Sequence, residues 1–454
     1  MTMKMQDRTP TVSEKTKQGV EAHNLKYQIA LYKKWVKVKA WTDRMLMALV
    51  NGVKGDKWYS LYDKIANLDT LKQAWEFVKK NKGAAGVDKI SVIKFDRHWV
   101  KYLKEILDQL KDGTYDPLAV KRVYIDKGNG QRELRPLGIP AVKDRIVQAA
   151  IKMIMEPIFE REFMPTSYGF RPNRGCKDAL REVNSYINSG FTWYVDADLK
   201  SYFDTIPHGK LIERVEERIA DGRTLEIITK YLKQNIMDEN KEWTPIEGTP
   251  QGAVLSPLLA NIYLHPLDRL MEESKLRIVR YADDFVILCE SQEEAQKALG
   301  IVKEWVQNNG LILHPEKTRI GNCIEEGDGF DFLGYRFEAG KKQVRQKSLT
   351  KMKDRIRSLT KRCNGQSLYK IIEDLNRTLR GWFEYFKHAH EWTFERLDSF
   401  IRRRLRAVLR KRMKRPGMGK TKVDHAKWPN KYFTKLGLFS LKDAWDLAVV
   451  IQSR

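Results

Sequence analysis

The stretch Tyr281-Ala282-Asp283-Asp284 constrains the fold of this chain most, because it separates two apolar runs that alternate with polar residues. The runs Leu276–Arg280 and Phe285–Leu288 are rich in β-branched residues, so each is predicted to be a strand. The four residues would then form the tip of a β-hairpin that carries two adjacent carboxylates. An isolated Asp-Asp turn is more often a solvated turn than a metal site. A catalytic interpretation therefore needs a third acid elsewhere in the chain.

A candidate third acid follows the apolar run 192–195, which predicts a strand that ends in a turn before Pro207. Asp196 and Asp198 lie on the same face of such a strand, and a metal site needs only one of them. A strand that ends in Asp, beside a hairpin that carries Asp-Asp, is the arrangement required for nucleotidyl transfer with two Mg²⁺ ions bridged by carboxylates. Mg²⁺ prefers hard oxygen ligands of this kind.

Three other segments have the composition of ligand-binding loops rather than of plain linkers. Residues 120–132 predict a hairpin with Gly128-Asn129-Gly130 at its tip, and its lysines and arginines are candidate phosphate ligands. The loop 167–175 is rich in aromatic residues and arginines, so Arg171 and Arg174 are candidate nucleic-acid ligands. Residues 248–264 contain glycines that allow close approach of a ligand to the backbone, followed by Ser256-Pro257, which predicts a helix with the serine as its cap.

The positive charge of the chain is concentrated in its last quarter. Residues 341–454 hold 31 Lys and Arg against 10 Asp and Glu, and therefore contribute +21 of the net charge of +25. Solubility alone would explain a diffuse excess but not this concentration, so a polyanion, most commonly a nucleic acid, is the expected partner. The four cysteines are scattered without a Cys-x-x-Cys pair, which fits a reducing cytoplasm. No apolar run approaches the roughly 18 residues of a membrane span.

Apolar residues at helical spacing predict three helices in this basic region, near residues 348–360, 368–386 and 394–409. Their aromatic residues are predicted to form the core of a three-helix bundle. Over residues 341–415, 24 basic residues face 7 acidic ones, so most of the basic residues cannot be paired within the segment. The arginines are expected to contact phosphates, and the candidates are Arg402, Arg403, Arg404 and Arg406.

Together, these segments resemble a bacterial reverse transcriptase of the group II intron type that lacks the HNH endonuclease domain. The motifs that carry the resemblance stand in the family's order: the hairpin 120–132, Asp198 with Phe203, the Thr249-Pro250-Gln251-Gly252 and Ser256-Pro257-Leu258 segments, Tyr281-Ala282-Asp283-Asp284, Leu313–Thr318 and Phe330–Tyr335. The resemblance covers roughly residues 75–454. It implies an α+β fold of the right-hand polymerase type, in which fingers and a palm with an antiparallel sheet are followed by an α-helical thumb or maturase domain.

The resemblance also implies a division of the chain. Residues 1–60 would form an N-terminal helical extension with a disordered start, and residues 61–340 the fingers and palm. Residues 341–415 would form the basic thumb or maturase domain, whose likeness is carried by Asn376–Phe386, and residues 416–454 a short C-terminal tail.

Carried over residue by residue, the resemblance makes Asp198, Asp283 and Asp284 the catalytic and metal-binding triad. Phe203 would lie under the sugar of the incoming nucleotide and exclude a 2′-hydroxyl, and Gln251 and Gly252 would lie against the nucleotide and the template. The remaining dNTP ligands would be Lys121, Arg122, Lys127 and, at the pyrophosphate leaving group, Lys317. This sequence departs from the family pattern at Asp126, which replaces a proline before Lys127, and at Ala253, which replaces a glycine.

The leading hypothesis is an RNA-directed DNA polymerase that also binds its intron RNA and assists splicing and intron homing. Its cofactor would be two Mg²⁺ ions, with Mn²⁺ as a substitute. Its partners would be intron RNA, an RNA template, a DNA primer or target and dNTPs, without a membrane, in the bacterial cytoplasm and associated with the nucleoid. The alternatives are a splicing-only RNA chaperone and a domesticated reverse transcriptase that serves host defence or repair. The sequence leaves the oligomeric state, the intron class and the DNA target open.

Overall fold

The computed structural model describes residues 38–126, 134–239, 241–363 and 365–452, together with residues 30, 32, 33 and 36. In these ranges the predicted α+β class is confirmed, since largely antiparallel sheets are flanked by helices and the C-terminal region is helical. Residues 1–20, predicted to be disordered, lie outside the described residues. So does the Gly128-Asn129-Gly130 tip of the first hairpin.

The strands of the described ranges form three sheets. They are β1 (Val120–Asp126), β2 (Leu134–Ile139), β3 (Trp193–Asp198), β4 (Ile236–Asp238), β5 (Lys241–Trp243), β6 (Arg277–Tyr281), β7 (Asp284–Cys289), β8 (Arg319–Asn322), β9 (Gly329–Phe332), β10 (Tyr335–Glu338) and β11 (Lys341–Val344). The strand orders are β2-β1-β4-β5, β6-β7-β3-β8 and β11-β10-β9. Both predicted hairpins are confirmed as strand pairs, β1 with β2 and β6 with β7.

The sheet β6-β7-β3-β8 is antiparallel throughout and separates two apolar cores. Side chains alternate between the two faces along each strand. Val195 and Ile287 therefore enter one core, whereas Tyr194 and Val286 enter the other. The second of these faces ends in acidic residues, so the sheet itself positions the polar site described below.

The helices before the last sheet are α1 (Asp43–Asn51), α2 (Tyr62–Ile65), α3 (Leu68–Lys80), α4 (Val92–Arg97), α5 (Trp99–Asp112), α6 (Val142–Glu162), α7 (Cys176–Asn188), α8 (Tyr202–Thr205), α9 (His208–Glu216), α10 (Gly222–Leu232), α11 (Ser256–Glu273) and α12 (Gln292–Asn308). Asn67 caps α3 by accepting hydrogen bonds from the backbone N–H groups of Asp69 and Thr70. The same helix buries Leu71, Ala74, Trp75 and Val78, a spacing that keeps its apolar face on the core.

The C-terminal region contains α13 (Gln346–Leu359), α14 (Leu368–Phe386), α15 (Trp392–Arg412), α16 (Lys422–Lys427), α17 (Asn430–Lys435) and α18 (Leu441–Gln452). The three helices predicted for the basic region are confirmed as α13, α14 and α15. The segment that follows them returns along the bundle and buries Trp428, Phe433 and Leu441 in the same core as α14 and α15. Residues 416–452 are therefore a packed part of the helical region.

Candidate active site

Three carboxylates meet at one end of the central sheet. Asp198 is the last residue of β3 and pairs directly opposite Asp284, the first residue of β7. Tyr281 pairs with Asp284 across the β6–β7 hairpin, so Ala282 and Asp283 form a two-residue turn. Ala282 adopts a left-handed backbone with φ of 60°, as such a tight turn requires. The sheet topology thus brings Asp198 next to Asp283 and Asp284, although Asp198 precedes Asp284 by 86 residues in the sequence.

Burial and mutual repulsion make this group of acids hard to ionise. Burial, reinforced by the charges of Asp196, Asp283 and Asp198, raises the pKa of Asp284 to about 7. Burial also raises the pKa of Asp283, again with a contribution from Asp198. For Asp196, burial raises the pKa to about 6, although Arg319 opposes the shift. A cation among these oxygens would stabilise their charged forms, which is the electrostatic condition for a metal site.

The ligand chemistry fits a hard divalent cation, because the converging groups are carboxylate oxygens. Lys317 donates a hydrogen bond from Nζ to Oδ2 of Asp198 at 2.5 Å, so an ammonium group stands at the edge of the acid cluster. Asp196 is engaged by Arg319 at 3.5 Å, which leaves Asp198 as the acid of β3 nearest the turn. Across the described ranges, no three His, Cys, Asp or Glu side chains already enclose an ion-sized space. Asp198 would have to exchange its contact with Lys317 for a metal.

A buried ion pair that the sequence reasoning missed supports the Ala282-Asp283 turn from below. The Arg280 guanidinium donates from Nε to Oδ1 of Asp268 at 2.7 Å and from Nη2 to Oδ2 at 2.5 Å. Its Nη1 donates to Oδ1 of Asn261 at 3.0 Å and to the carbonyl oxygen of Ala282 at 2.9 Å. Both charged side chains are fully buried. Arg280 among the apolar residues of β6 and Asp268 among those of α11 were the available signal for such a pair.

The loop 167–175 packs against this hairpin through its backbone. The N–H of Arg280 donates to the carbonyl of Thr166, and the N–H of Tyr168 donates to the carbonyl of Arg280. A Cβ on Gly169 would lie 2.3 Å from the backbone nitrogen of Ala282, so only glycine allows this approach. Nδ2 of Asn261 donates to the carbonyl of Gly169 at 2.8 Å. The loop is thus a support of the turn.

The prediction that Arg171 binds nucleic acid is wrong. Its side chain is buried and donates two hydrogen bonds to the Glu160 carboxylate, at 2.9 and 2.8 Å. It also donates to the carbonyl of Ser167 at 2.7 Å. Arg174 is half-buried, donates to the carbonyl of Pro165 and lies over the Tyr168 ring. Composition did not reveal that these arginines satisfy loop carbonyls.

A cavity of about 490 Å³ lies between β1, β2 and the loop before α11, and Asp204 is among the residues that line it. Arg122 lies on its wall, with its guanidinium 5.0 Å from the Trp243 ring centre. Lys121 precedes it on the same strand and is exposed, so the two side chains point to opposite faces of the sheet. The binding of a triphosphate by both residues remains a prediction. Lys127 lies outside the described residues.

Arg135 contacts Gln251 in the wall of this cavity and was missed as a candidate ligand. Its Nε donates to Oε1 of Gln251 at 2.8 Å, and Nε2 of Gln251 donates to Oδ2 of Asp204 at 3.3 Å. Arg122 and Arg135 both oppose the burial-driven rise in the pKa of Asp204. The place of Arg135 on β2, opposite the predicted phosphate-binding strand, was the available signal. The cluster presents two guanidinium groups and an amide to a ligand.

The loop 248–255 approaches β2 through glycine. Gly252 has a φ of +104°, and a Cβ there would lie 2.5 Å from the carbonyl oxygen of Gly138. The N–H of Gly138 donates to the carbonyl of Gln251 at 2.7 Å. Gly252 thus allows the backbone of the loop 248–255 to pack directly against the backbone of β2. Ser256 is already in the first turn of α11 rather than its cap, and its hydroxyl donates to the carbonyl of Pro250.

Phe203 is buried beside the same loop, with 9% of its surface exposed. Its carbonyl accepts a hydrogen bond from the N–H of Thr249 at 2.6 Å, and its ring lies edge-on to that of Tyr202. The residue is thereby fixed between β3 and the loop 248–255, and its effect on the sugar of a nucleotide remains a prediction.

The arginines predicted to contact phosphates on α15 have mixed roles. Arg406 is buried and donates to the carbonyl of Trp428 and to Asn430, so the prediction for it is wrong. Arg404 donates to the hydroxyl and the carbonyl of Thr360 and holds α15 against α13. Arg402 lies 3.8 Å from Asp398, and Arg403 covers the Phe400 ring. Charge counting overlooked backbone carbonyls as partners.

A different helix presents unpaired cations. Lys347, Lys351 and Arg355 on α13 are exposed and stand four residues apart, so they form one basic stripe. On this helix, the ion pair that the described residues show joins Asp354 to Arg357, outside the stripe. Spacing of four in a basic helix was the missed signal. We refer to these three residues as the α13 stripe.

Two protein families match separate stretches of this chain. The family described as Reverse transcriptase (RNA-dependent DNA polymerase) matches residues 125–337, and the family described as Group II intron, maturase-specific domain matches residues 349–428. Protein YkfC of Escherichia coli (strain K12) is 35% identical over 316 residues, which cover 60% of this chain and 81% of that protein. The group II intron-encoded protein LtrA of Lactococcus lactis subsp. cremoris is 31% identical over 375 residues. The chain belongs to the group II intron reverse transcriptases.

The match to LtrA covers 82% of this chain and 55% of that protein, so the chain spans about half the length of this relative. Among solved structures, a partial Cas6-RT-Cas1–Cas2 complex shares 27% identity with a TM-score of 0.36, over 55% of this chain and 41% of that one. Membership confirms the predicted RNA-directed DNA polymerase and intron maturase functions, which imply binding of RNA and DNA. Reverse transcriptases depend on divalent cations. No helix in the described ranges is long and apolar enough to cross a bilayer.

Proposed function

We propose that this group II intron reverse transcriptase copies RNA into DNA with two Mg²⁺ ions held by Asp198, Asp283 and Asp284, and that Mn²⁺ can replace them. The observation that carries the proposal is the pairing of Asp198 directly opposite Asp284, with Asp283 in the adjoining turn. The raised pKa values of Asp283 and Asp284 agree with it, because clustered acids of this kind need a cation to be charged together.

Bound Mg²⁺ supplies Lewis-acid stabilisation of the attacking and leaving oxygens. The chain's own residues position the reactants. The 3′-hydroxyl oxygen of the primer loses its proton to solvent and forms a bond to the α-phosphorus of the dNTP, while the bond to the bridging oxygen breaks and pyrophosphate leaves. Lys317, which donates a hydrogen bond to Asp198, would donate one to the leaving group. Its ammonium also offsets charge on the departing phosphate oxygens.

Arg122, Arg135 and Gln251 are proposed to hold the incoming nucleotide in the cavity between β1, β2 and the loop 248–255. Guanidinium groups bind phosphate by paired hydrogen bonds, and Arg135 is already oriented by Gln251. Phe203 would limit the space at the 2′ position of the sugar, which would favour dNTPs over ribonucleotides. The buried position of its ring between β3 and the loop supports this role.

The helical region is proposed to hold the template–primer duplex and the intron RNA by contacts to their backbones. The α13 stripe is the surface that supports this proposal, because its three cations are exposed and the ion pair described on this helix does not involve them. Such contacts carry no sequence information by themselves. They would serve both copying and the binding of intron RNA during splicing and homing.

Primer extension on an RNA template with a DNA primer, dNTPs and Mg²⁺ tests the polymerase proposal. Asp284→Asn keeps the shape of the side chain but removes a ligand charge, so extension should fall by at least about a hundredfold. Asp108→Asn, a surface change on α5, is the matched control and should extend like the wild type. Extension by Asp284→Asn at the wild-type rate would refute the assignment of the triad.

A splicing assay on the intron RNA separates the polymerase from the splicing-only alternative. Asp284→Asn should leave protein-assisted splicing unchanged, because the α13 stripe does not involve the acid cluster. A wild-type protein that accelerates splicing but never extends a primer would establish the splicing-only reading and overturn the polymerase proposal.

A further inference from the structure

A second basic cavity lies away from the acid cluster, between α7, β10–β11 and the end of α14. Its volume is about 290 Å³, which is enough for a phosphate group with part of a sugar. Lys177, Arg181 and His388 surround its mouth, Lys342 lies deeper on β11, and Tyr385 forms one wall. No carboxylate is among the described residues that line it.

The charges in this cavity do not balance. Arg181 pairs with Asp178 at 2.6 Å, and the neighbouring Lys387 pairs with Glu384 at 3.2 Å. Lys177 and Lys342 make no ion pair with any of the described residues. Lys342 is half-buried, and burial lowers its pKa. A cation kept half-buried without an acid partner costs stability, unless an anion joins it.

The imidazole of His388 adds a neutral donor to the same cavity. Its pKa is lowered by burial and by the nearby charges of Lys342, Lys387, Lys177 and Arg181. The hydroxyl of Tyr385 is occupied by the carbonyl of Leu333, so this ring serves as a wall rather than as a ligand. The available donors are thus the two unpaired lysines, Arg181 and His388, a set suited to phosphate oxygens.

Side-chain contacts connect this cavity to the catalytic turn. Cys176, the first residue of α7, contacts both Tyr281 and Tyr385. Tyr281 pairs with Asp284 in the catalytic hairpin, and Tyr385 lines the cavity. Lys177 and Arg181 stand one helical turn apart, with Cβ atoms about 6 Å from each other, on an exposed face of α7. An extended strand lying on this side of the sheet could reach both places.

We propose that the cavity of Lys177, Arg181, Lys342 and His388 binds a backbone phosphate of the nucleic acid engaged at the polymerase site. The proposal rests on the polymerase function and adds a binding site to it. The occupant is a phosphodiester, because the mouth is open and its lining carries several cations and no carboxylate. A free phosphate has the same oxygens and is distinguished by the experiment.

Fluorescence anisotropy of a labelled RNA–DNA hybrid, titrated with the full chain at several salt concentrations, tests the proposal. Each lost phosphate contact should lower the slope of log Kd against log salt by about 0.9. Lys177→Gln/Lys342→Gln should therefore lower the slope by about 0.9, the share of one phosphate, and Lys177→Arg/Lys342→Arg should keep it. Lys297→Gln/Lys303→Gln removes the same charge from α12, on the opposite face of the sheet, and should leave the slope unchanged.

An unchanged slope in Lys177→Gln/Lys342→Gln overturns the proposal. Calorimetry with inorganic phosphate gives a second test of the same variant. If the variant loses phosphate binding while its salt slope stays unchanged, the cavity binds a free phosphate rather than the nucleic-acid backbone, and the proposal is overturned. The single variant Lys177→Gln, at the exposed mouth, gives a slope change of about 1 without risk to folding. Primer extension at a saturating concentration of the hybrid tests the polymerase proposal separately. The salt slope tests the phosphate site, so a failure of one proposal can be told from a failure of the other.

Discussion

The ion pair beneath the catalytic turn allows a prediction that separates stability from positioning. Asp268→Ala removes both charge-assisted hydrogen bonds of the Arg280 guanidinium, at 2.7 and 2.5 Å, and leaves a fully buried cation with two neutral acceptors. Two hydrogen bonds to a charged group are worth about 3–6 kcal/mol, and removal of one partner of a buried ion pair costs about 3–5 kcal/mol. We expect a loss of about 3–5 kcal/mol in the free energy of unfolding.

The double variant Arg280→Met/Asp268→Leu removes both charges at once. Apolar replacement of a buried ion pair is often neutral or stabilising, so the stability should return to within about 1 kcal/mol of the wild type. The carbonyl of Ala282, however, would lose the Nη1 donor that fixes the turn at 2.9 Å. A shift of the reacting groups by about 1 Å costs roughly a hundredfold in rate, so extension should stay low.

Urea unfolding followed by circular dichroism measures the stability, and primer extension measures the positioning. A loss below about 1 kcal/mol in Asp268→Ala would contradict the argument from buried charge. Wild-type extension by the double variant would show that the turn is held by other contacts. Recovery of stability without recovery of extension is the result that the structure predicts.

Two further predictions concern groups away from the turn. Burial raises the pKa of Asp144 to about 7, so the folded chain keeps a proton that the unfolded chain loses near pH 3.8. Relative to Asp144→Asn, wild-type stability should therefore fall by at most about 4 kcal/mol between pH 4 and 7 and stay level above pH 7, and parallel unfolding curves would contradict this. Arg406→Met should lower the melting temperature and leave the salt dependence of RNA binding unchanged, because the side chain is buried. Lys351→Gln in the α13 stripe should leave the melting temperature unchanged and lower the salt slope of RNA binding by about 1. Equal slopes in both variants would exclude the stripe as a phosphate surface.

The catalytic hairpin could be predicted from sequence because its information is local. Alternating β-branched residues define both strands, and a two-residue turn leaves little choice of register. That Asp198 lies opposite Asp284 could be predicted only from the resemblance. The two strands are far apart in sequence, 86 residues from one acid to the other, and such pairing leaves no local signal. The helices of the basic region were predicted by the same kind of local periodicity, and they appear as α13, α14 and α15.

The roles of individual basic residues were the least predictable part of the site. Arg171 and Arg406 satisfy carbonyls and carboxylates brought close only by the fold, so composition alone classed them with the phosphate ligands. Lys121 and Arg122 are a different case, because their assignment came from the resemblance and strand alternation places them on opposite faces. Their contact with a triphosphate therefore stays a prediction.

The two cores on either side of the sheet β6-β7-β3-β8 bear on how this protein can change over evolution. One face of that sheet packs on α7 and β9, and its residues Val286 and Leu288 belong to the same apolar core as the helical region that ends the chain. Deletion of this region would uncover part of that shared core, and exposed apolar surfaces of this kind aggregate. We therefore expect truncation of the helical region to destabilise the sheet that carries the acids as well. A descendant that abandons one activity would then lose it more readily by single substitutions than by deletion, so inactive descendants would still show the complete architecture.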